Sequence, residues 1–297
     1  MKITEIVDRA CRNQTVVPAF NAAYLPMIKP IIDALKKTGT FALVEAARPD
    51  VEKFGARSFR EVAEEFRKHA NPKYTALHLD HVPVIDEDGR TVDWEKLIRD
   101  GISFGYDSVM IDGSRLPFEE NVRITREVAD IAHGKGVAVE AELGAVLGHE
   151  QGPLPDYEEL FASGKGFTDA AQAAEFARRT GVDWLSVAIG NVHGALAEGA
   201  KDRKKPAARL DIEHLKKLRT AAGIPLVLHG GSGIQQAYVL EAIKNGIAKI
   251  NVGTEIRQVY ESAMKERPGD IVHAQAQVEK SVTGLVCDYY RCGGSAL

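Results

Sequence analysis

The sequence predicts a parallel eight-stranded barrel surrounded by helices, the (β/α)₈ fold. Short apolar runs recur along the 297 residues, and stretches with helical spacing separate them. Strands that are apolar on both faces and alternate with helices are typical of a parallel sheet covered by helices. Eight such units in about 250 residues is the usual size of the closed barrel. An open doubly wound sheet is the alternative, but no dinucleotide-type glycine fingerprint follows the first strand, where Phe20-Asn21-Ala22-Ala23 stands.

Eight strands follow from β-branched and aliphatic runs bounded by breakers. They are predicted at Val16–Phe20, Thr40–Glu45, Tyr74–Leu79, Ser108–Asp112, Val137–Glu142, Trp184–Ile189, Pro225–His229 and Lys249–Val252. Helical spacing between them predicts Met27–Lys37, Ser58–His69, Glu119–His133, Thr168–Arg179, Asp211–Ala222 and Gln235–Asn245. Glycines stand where these helices are expected to end, at Gly39, Gly136, Gly181, Gly223 and Gly246.

We see no linker, low-complexity tract or shift of composition that divides the chain. A single barrel domain over residues 1–297 is therefore expected. Residues from about 255 onward, Glu255–Leu297, are expected to form additional C-terminal helices, and these are candidates for a subunit interface.

Composition limits the classes of partner. The net charge is −4, and no basic stretch is interleaved with aromatic residues, so neither nucleic acid nor a membrane is an expected partner. No apolar run approaches the roughly 18 to 20 residues that cross a bilayer. Charged residues interrupt Met1–Asn13, where a signal peptide needs an apolar core. Three cysteines without metal-ligand spacing fit a reducing compartment, so we expect a cytoplasmic protein.

Polar residues fall at the ends of six successive predicted strands. In a (β/α)₈ barrel the chemistry collects at the carboxyl ends of the strands, so these residues are site candidates. They include Asp80-His81, Asp112, Glu140-Ala141-Glu142, Asn191-Val192-His193, His229 and Asn251.

Three of these residues have the arrangement of a catalytic zinc site. A single histidine at a strand end is more often a hydrogen-bonded structural residue than a ligand. His81, His193 and His229, however, end three different strands, so they can surround one ion and leave a fourth position open. His78 is expected to point into the barrel wall and support them. Lys249 is predicted to begin the eighth strand at the opposite end, so no lysine is expected in the mouth for a Schiff base.

Two clusters of small residues predict a phosphate site. Gly230-Gly231-Ser232-Gly233 and Asn251-Val252-Gly253-Thr254 each precede a helix, where backbone amides bind phosphate. One such cluster can be no more than a tight turn, but a phosphate site after strands seven and eight recurs in these barrels.

Together these segments resemble the class II, zinc-dependent ketose-bisphosphate aldolases, which include fructose- and tagatose-bisphosphate aldolases. The resemblance runs from Pro18 to Ala296 with similar order and spacing. The motifs that carry it are LHLDH at 77–81, SVMIDGS at 108–114, VEAELG at 139–144, AIGNVHG at 188–194, LHGGSG at 228–233 and KINVGTE at 249–255.

The resemblance implies reversible aldol cleavage of a ketose 1-phosphate or 1,6-bisphosphate to dihydroxyacetone phosphate and an aldehyde such as glyceraldehyde 3-phosphate. It implies one zinc ion per subunit, held by His81, His193 and His229. Asp80 then handles the proton of the C4 hydroxyl. Glu150, in the loop after the fifth strand, resembles the mobile glutamate that exchanges the C3 proton.

The resemblance also implies the surroundings of the metal and of the C1 phosphate. Asp112 and Glu142 match acidic positions near the metal, either as supporting residues or as an alternative metal position. The residues that match the phosphate segments are Gly194, Gly230, Gly231, Ser232, Asn251, Gly253 and Thr254. A monovalent cation, Na⁺ or K⁺, often lies beside that phosphate in the family, and the family suggests a homodimer or homotetramer.

Several positions depart from the best-known members, and all concern the aldehyde half of the substrate. Gly253 lacks the side chain that often contacts substrate hydroxyls. Glu45 and Arg48 stand where smaller polar residues usually help to bind a distal phosphate, which Glu45 would repel and Arg48 attract. Tyr24 and Pro26 interrupt the usual pattern after the first strand, where Asn21, like Arg48, is a candidate substrate contact.

The stretch from Ala195 to Arg209 is longer and richer in lysine than usual. Its cluster Lys201–Lys205 follows a predicted zinc-ligand strand, so a solvated loop and a contact with an anionic substrate are about equally expected.

Two functions of other classes remain open at the level of sequence. One is a non-catalytic barrel subunit of an aldolase complex, although such a subunit has no chemical need for Asp80, Glu150 and all three histidines. The other is a zinc-dependent hydrolase, although barrel hydrolases usually draw metal ligands from the first strand, which here ends in Ala19-Phe20-Asn21.

Overall fold

The structure is a computed structural model that describes residues 2–144, 161–191, 209–231 and 234–295. Within these residues, eight parallel strands close into a ring in chain order, and the last strand pairs with the first. Helices connect the strands and surround the ring, so the predicted (β/α)₈ barrel is confirmed.

All eight predicted strands are present, with ends that differ by a few residues. They are β1 (Val17–Asn21), β2 (Ala42–Ala46), β3 (Thr75–Pro83), β4 (Ser108–Asp112), β5 (Ala138–Leu143), β6 (Trp184–Val187), β7 (Leu226–Leu228) and β8 (Ile247–Val252). Strand β8 starts two residues earlier than predicted, because Ile247 and Ala248 pack in the core on either side of the sheet. Lys249 therefore lies within the strand instead of at its start.

The described helices are α1 (Ile3–Arg12), α2 (Ile28–Thr38), α3 (Arg48–Glu52), α4 (Phe59–His69), α5 (Trp94–Phe104), α6 (Phe118–His133), α7 (Ala170–Thr180), α8 (Ile212–Ala222), α9 (Gln236–Lys244), α10 (Thr254–Glu266) and α11 (Ile271–Gly284). A π-helical turn, Leu285–Tyr289, follows α11. The six predicted helices and the helical C-terminal region are confirmed, whereas α1, α3 and α5 were not predicted.

Three of the predicted helix ends are confirmed as left-handed glycines: Gly39, Gly181 and Gly223. Helix α6 ends at His133 as predicted, but its C-cap is Gly134 instead of Gly136, and α9 ends one residue earlier than predicted, at Lys244, with Asn245 as its C-cap.

The apolar core divides into two parts that leave one end of the barrel for polar residues. The larger part fills the space between the outer face of the sheet and the helices. The smaller part lies under α1, whose Ile6, Val7 and Ala10 pack with residues such as Leu43 and Trp184. Helix α1 thus covers the amino ends of the strands. No helix among the described residues is long and apolar enough to cross a membrane.

Strand β3 contains an irregularity that orients the site. Its register against β4 shifts between Leu79 and Val82. Within this bulge, His81 adopts a left-handed backbone conformation with φ of 40°, which is uncommon for a residue with a side chain. Because neighbouring side chains on a regular strand point to opposite faces, this departure allows Asp80 and His81 to reach the same site.

Candidate active site at the carboxyl ends of the strands

Two predicted ligands meet at the carboxyl end of the barrel. The Nδ1 atom of His229, which follows β7, lies 2.6 Å from the Nε2 atom of His81 on β3. One carboxylate oxygen of Asp80 joins them, and the three ligand atoms lie within 4.8 Å of one another. The structure therefore brings together three of the residues that the sequence predicts for metal binding and proton transfer.

A carboxylate stands behind each imidazole. The other ring nitrogen of His229, Nε2, lies 2.7 Å from Oε1 of Glu140, and Nδ1 of His81 lies 3.6 Å from Oδ2 of Asp112. A carboxylate only accepts, so Nε2 of His229 donates to Glu140, and Nδ1 of His229 presents its lone pair to His81. Burial alone would lower the pKa of His81, but the nearby Asp80 and Asp112 carboxylates raise it to about 10, so a proton lies between the two rings unless a metal ion takes that place. The donor set thus fits a metal ion with nitrogen ligands, such as Zn²⁺.

Asp80 is held as an ionised acceptor. Its side chain is buried, and it accepts hydrogen bonds from Nδ2 of Asn251 at 2.8 Å and from Nδ2 of Asn21 at 3.0 Å. Burial alone would raise the pKa of the Asp80 carboxyl, but the neighbouring His81, His229 and Lys249 outweigh it and lower that pKa. Asp80 can therefore take a proton from a hydroxyl group beside the two histidines.

Two further acids, Asp112 and Glu142, form a second potential ligand group with His81, again with ligand atoms within 4.8 Å. Burial and the nearby Asp112 raise the pKa of Glu142 well above its usual value. Ser186 donates a hydrogen bond to Glu142 at 3.4 Å. Both acids lie beside His81, and their role near a metal ion remains a prediction.

His78 is enclosed in the barrel wall. Its Nδ1 lies 2.8 Å from the Ser108 hydroxyl, and the ring is fully buried. Burial, helped by the nearby Lys249 ammonium, lowers the pKa of His78 to about 3, so the ring is neutral at ordinary pH. His78 also forms a group with Glu45 and Asp80 whose ligand atoms lie within 4.8 Å of one another.

Lys249 and Glu45 are not where the sequence analysis expected them. The Lys249 ammonium lies inside the barrel, 2.9 Å from Oε2 of Glu140 and 3.5 Å from Oε2 of Glu45, and all three side chains are fully buried. It also donates to Oδ1 of Asn251 at 2.5 Å. Burial lowers the pKa of Lys249, but Glu140 and Glu45 more than reverse this effect. Glu45 consequently faces Lys249 in the interior, instead of standing at the distal end of a substrate.

Of the two candidate phosphate segments, the one after β8 lies at the start of a helix. Gly230 and Gly231 follow β7, and Gly230 has φ of 65°. Gly253 precedes α10, and Thr254 is its first residue, so the free amides of this helix open beside Asn251. A Cβ atom on Gly253 would lie 3.0 Å from Oδ1 of Asn21, so the Asn21 side chain takes up the space beside this glycine.

Arg48 begins α3 and is paired with acids. Its guanidinium donates to Glu52 at 2.9 and 3.2 Å and lies 3.8 Å from Asp86. A contact between Arg48 and substrate remains a prediction.

Several predicted site residues lie outside the described residues. They are His193, Glu150, Gly194, Ser232 and the cluster Lys201–Lys205.

The sequence analysis named Glu140 among the polar residues at strand ends but gave it no role, and it missed Lys249 and Asp50 as residues of the site. Glu140 and Lys249 lie two positions from Glu142 and Asn251 on their strands, so alternation along a strand was the signal that could have assigned them to the site. Asp50 accepts from the Ala47 amide at 2.8 Å and from Nδ2 of Asn21 at 3.4 Å. No sequence pattern marked it.

Comparison with known proteins covers nearly the whole chain. The sequence model of a family described as fructose-bisphosphate aldolase class-II matches residues 1–296. YdjI of Escherichia coli K12, described as an uncharacterized protein, is 36% identical over 289 residues, which are 96% of this chain and 94% of YdjI.

Solved structures agree with this match. The crystal structure of the YdjI aldolase from Escherichia coli K12 has a TM-score of 0.77 and 30% identity, and the comparison covers 100% of this chain and 99% of that one. A fructose-bisphosphate aldolase from Campylobacter jejuni has a TM-score of 0.74 at 18% identity, covering 98% of this chain and 95% of its own. At that identity, the second comparison supports the barrel fold alone.

Proposed function

Because the chain belongs to the class-II fructose-bisphosphate aldolase family, we propose that it is a zinc-dependent aldolase. Its reaction is the reversible cleavage of a ketose 1-phosphate or 1,6-bisphosphate, similar to fructose or tagatose bisphosphate. The products are dihydroxyacetone phosphate and an aldehyde such as glyceraldehyde 3-phosphate. The observation that carries this proposal is the convergence of His81 and His229 beside the Asp80 carboxylate.

In this proposal His81, His193 and His229 hold one zinc ion per subunit. A bound zinc ion supplies Lewis-acid stabilisation of the negative charge that develops when the carbon–carbon bond breaks. Glu140 and Asp112 hold the rings of His229 and His81 in the orientation that binding requires.

Asp80 carries the first proton transfer. It removes the proton of the C4 hydroxyl, the C3–C4 bond breaks, and C4 becomes the aldehyde carbon while the electron pair remains on the C2–C3 fragment. Asn21 and Asn251 fix the carboxylate that accepts this proton, since each donates to a different oxygen of Asp80. In the direction of synthesis, Asp80 returns the proton to the new hydroxyl.

Glu150 is proposed to complete the cleavage by delivering a proton to C3, which gives dihydroxyacetone phosphate. The C1 phosphate is proposed to bind Gly194, Gly230, Gly231, Ser232, Asn251, Gly253 and Thr254, with Na⁺ or K⁺ beside it. The start of α10 supports this location, because its free amides open toward the carboxyl end of the barrel.

We also propose a homodimer or homotetramer in the cytoplasm. Among the described residues, the large apolar side chains that are exposed are Ile271 and Val272, at the start of α11. They lie in the C-terminal region that the sequence analysis singled out as a candidate subunit interface.

The function is tested by measuring dihydroxyacetone phosphate released from a panel of ketose 1-phosphates and 1,6-bisphosphates. The protein is assayed as purified, after complete metal removal, and after zinc is added back. We expect cleavage of at least one substrate, loss of cleavage without metal and recovery with zinc. Activity that survives full metal removal contradicts the mechanism, and a zinc-loaded protein that cleaves no member of the panel favours a non-catalytic barrel subunit.

A further inference from the structure

The barrel interior holds a buried ammonium group with three oxygen partners from three strands. Lys249, on β8, donates to Oδ1 of Asn251 at 2.5 Å and lies 2.9 Å from Oε2 of Glu140 on β5 and 3.5 Å from Oε2 of Glu45 on β2. A buried charge is costly unless it is paired, and here one hydrogen bond, to Asn251, and two ion pairs, with Glu140 and Glu45, provide that pairing. The three contacts thus fix where Nζ lies.

One branch from Lys249 leads to a proposed metal ligand. The Glu140 carboxylate faces Lys249 with Oε2 and faces Nε2 of His229 with Oε1, at 2.7 Å. When Nε2 carries the proton, Nδ1 presents its lone pair to the site. Lys249 anchors the carboxylate that selects this tautomer.

The other branch leads to the proposed proton acceptor. Because the carbonyl oxygen of the Asn251 side chain receives a hydrogen bond from Lys249, its amide nitrogen faces Oδ1 of Asp80, at 2.8 Å. A reversed amide would place oxygen against the Asp80 carboxylate and nitrogen against the ammonium, and both contacts would be repulsive. Lys249 therefore sets the orientation in which Asn251 holds Asp80.

We propose that Lys249 is a positioning residue for both halves of the site: through Glu140 it fixes the tautomer of His229, and through Asn251 it fixes the carboxylate of Asp80. This inference rests on the proposed function for its consequence in zinc binding and turnover. The tautomer of His229 can be observed in protein that neither binds zinc nor turns over substrate.

The test must keep the interior foldable, because Lys249→Met alone leaves Glu45 and Glu140 facing each other without a cation. The double variant Lys249→Met/Glu45→Gln removes the ammonium group together with one of its two carboxyl partners and retains Glu140. It is compared with Glu45→Gln, which differs from it only by the lysine. Asp107→Asn, at the amino end of the barrel, is a control for loss of a partly buried carboxylate far from the site, where Asp107 accepts from the Leu77 amide at 2.8 Å.

The first readout is the tautomer of His229 in metal-free protein, measured by ¹⁵N NMR of histidine-labelled samples. We expect the Nε2–H form in the wild type and in Glu45→Gln, and a mixture of tautomers or ring protonation in the double variant. An unchanged Nε2–H signal in the folded double variant overturns the first branch.

The second readout is zinc affinity, measured by competition with a chromogenic chelator. We expect Lys249→Met/Glu45→Gln to bind zinc roughly 10- to 100-fold more weakly than Glu45→Gln. Glu140→Gln should weaken binding to a similar extent, and adding Lys249→Met to it should cost little more, because Lys249 acts through Glu140. Additive losses overturn that route.

The third readout isolates Asp80. At saturating zinc, the double variant should show a lower kcat than Glu45→Gln with little change in KM, because Asp80 is misplaced while substrate binding remains. Equal kcat values overturn the second branch. A wild-type protein that binds no zinc instead contradicts the proposed function, and the NMR measurement then still decides whether Lys249 positions His229.

Discussion

The Nδ1 atom of His229 and the Nε2 atom of His81 face each other at 2.6 Å, and each ring has a carboxylate behind it. The two rings come from strands on opposite sides of the barrel, β7 and β3. Nothing in the apolar packing requires them to meet, because their contact is between polar atoms. A metal ion that both rings bind, or a proton shared between the two nitrogens, accounts for this contact.

Replacement of His229 by alanine should abolish zinc binding. The variant loses a nitrogen ligand, and Glu140 loses the ring N–H that it accepts. We expect the zinc content per chain, measured by elemental analysis after dialysis, to fall from about one ion to near zero. His133→Ala is the matched control, because His133 lies on the outside against Asp183 at 2.9 Å. Full zinc occupancy in His229→Ala would contradict the assignment.

Replacement of Asp80 by alanine should lower kcat by roughly 10²- to 10⁴-fold while zinc is retained, which is the usual effect of losing a general base. Alanine is preferred to asparagine because Asn21 and Asn251 both donate toward Asp80, and an amide would turn one N–H against another. Single-turnover release of dihydroxyacetone phosphate measures the chemical step directly. A rate within tenfold of the wild type would show that another group takes the proton.

Gly253→Ala should reduce turnover through Asn21. The new Cβ atom would lie 3.0 Å from Oδ1 of Asn21, so the amide must shift and weaken its hydrogen bond to Asp80. We expect a roughly 10- to 100-fold loss of kcat, typical of a small misplacement near the reacting atoms. In an Asn21→Ala background the same change should cost little. An equal loss in both backgrounds would locate the effect elsewhere.

Asp50 should make the metal-free protein less stable as the pH rises from about 4 to about 7. Burial raises the pKa of the folded Asp50 carboxyl from 3.8 to about 7. Between these values the unfolded chain releases the proton and the folded chain keeps it, so the free energy of unfolding falls. The total loss is at most about 4 kcal/mol and is complete above about pH 7.

Urea unfolding at several pH values, with chelator present, measures this effect. Asp50→Asn should gain stability relative to the wild type as the pH rises, whereas Glu52→Gln, on the exposed side of the same helix, should not. A pH-independent difference between Asp50→Asn and the wild type would show that Asp50 is ionised throughout.

Lys249 should not form a Schiff base with substrate. Its Nζ atom is enclosed by two carboxylates and an amide oxygen, and these partners hold it as an ammonium ion without a free electron pair. Borohydride reduction in the presence of dihydroxyacetone phosphate, followed by peptide mapping, should leave Lys249 unmodified. A reduced adduct on Lys249 would indicate a lysine mechanism.

The barrel could be predicted well from the sequence because its strands are apolar on both faces and because glycines mark where many of the helices end. A glycine is also the reason that α5 was not predicted. Gly101 interrupts the helical pattern, yet in the structure it allows the helix to approach β3, where a Cβ atom would lie 2.7 Å from Cδ2 of Leu79. The cap formed by Asp93 on the Lys96 amide was the local signal for this helix.

The meeting of His81 and His229 could be predicted because histidines at strand ends are rare and distinctive. The interior network could not, because the partners of Lys249 come from strands far apart in sequence, and the register of those strands decides whether their side chains meet. Likewise, Asp80 and His81 reach the same site only because of a bulge in β3, which no residue pattern predicted.

The two amides that hold Asp80 lie on either side of the seam where the ring closes. Asn21 is the last residue of β1 and Asn251 lies on β8, and these strands pair with Ala19 opposite Asn251. During synthesis on the ribosome, more than two hundred further residues must be added after β1 before β8, the second strand with which β1 pairs, is complete. Proton-transfer competence is therefore expected to be among the last properties that the folding chain acquires, and turnover in a refolding experiment reports closure of the barrel.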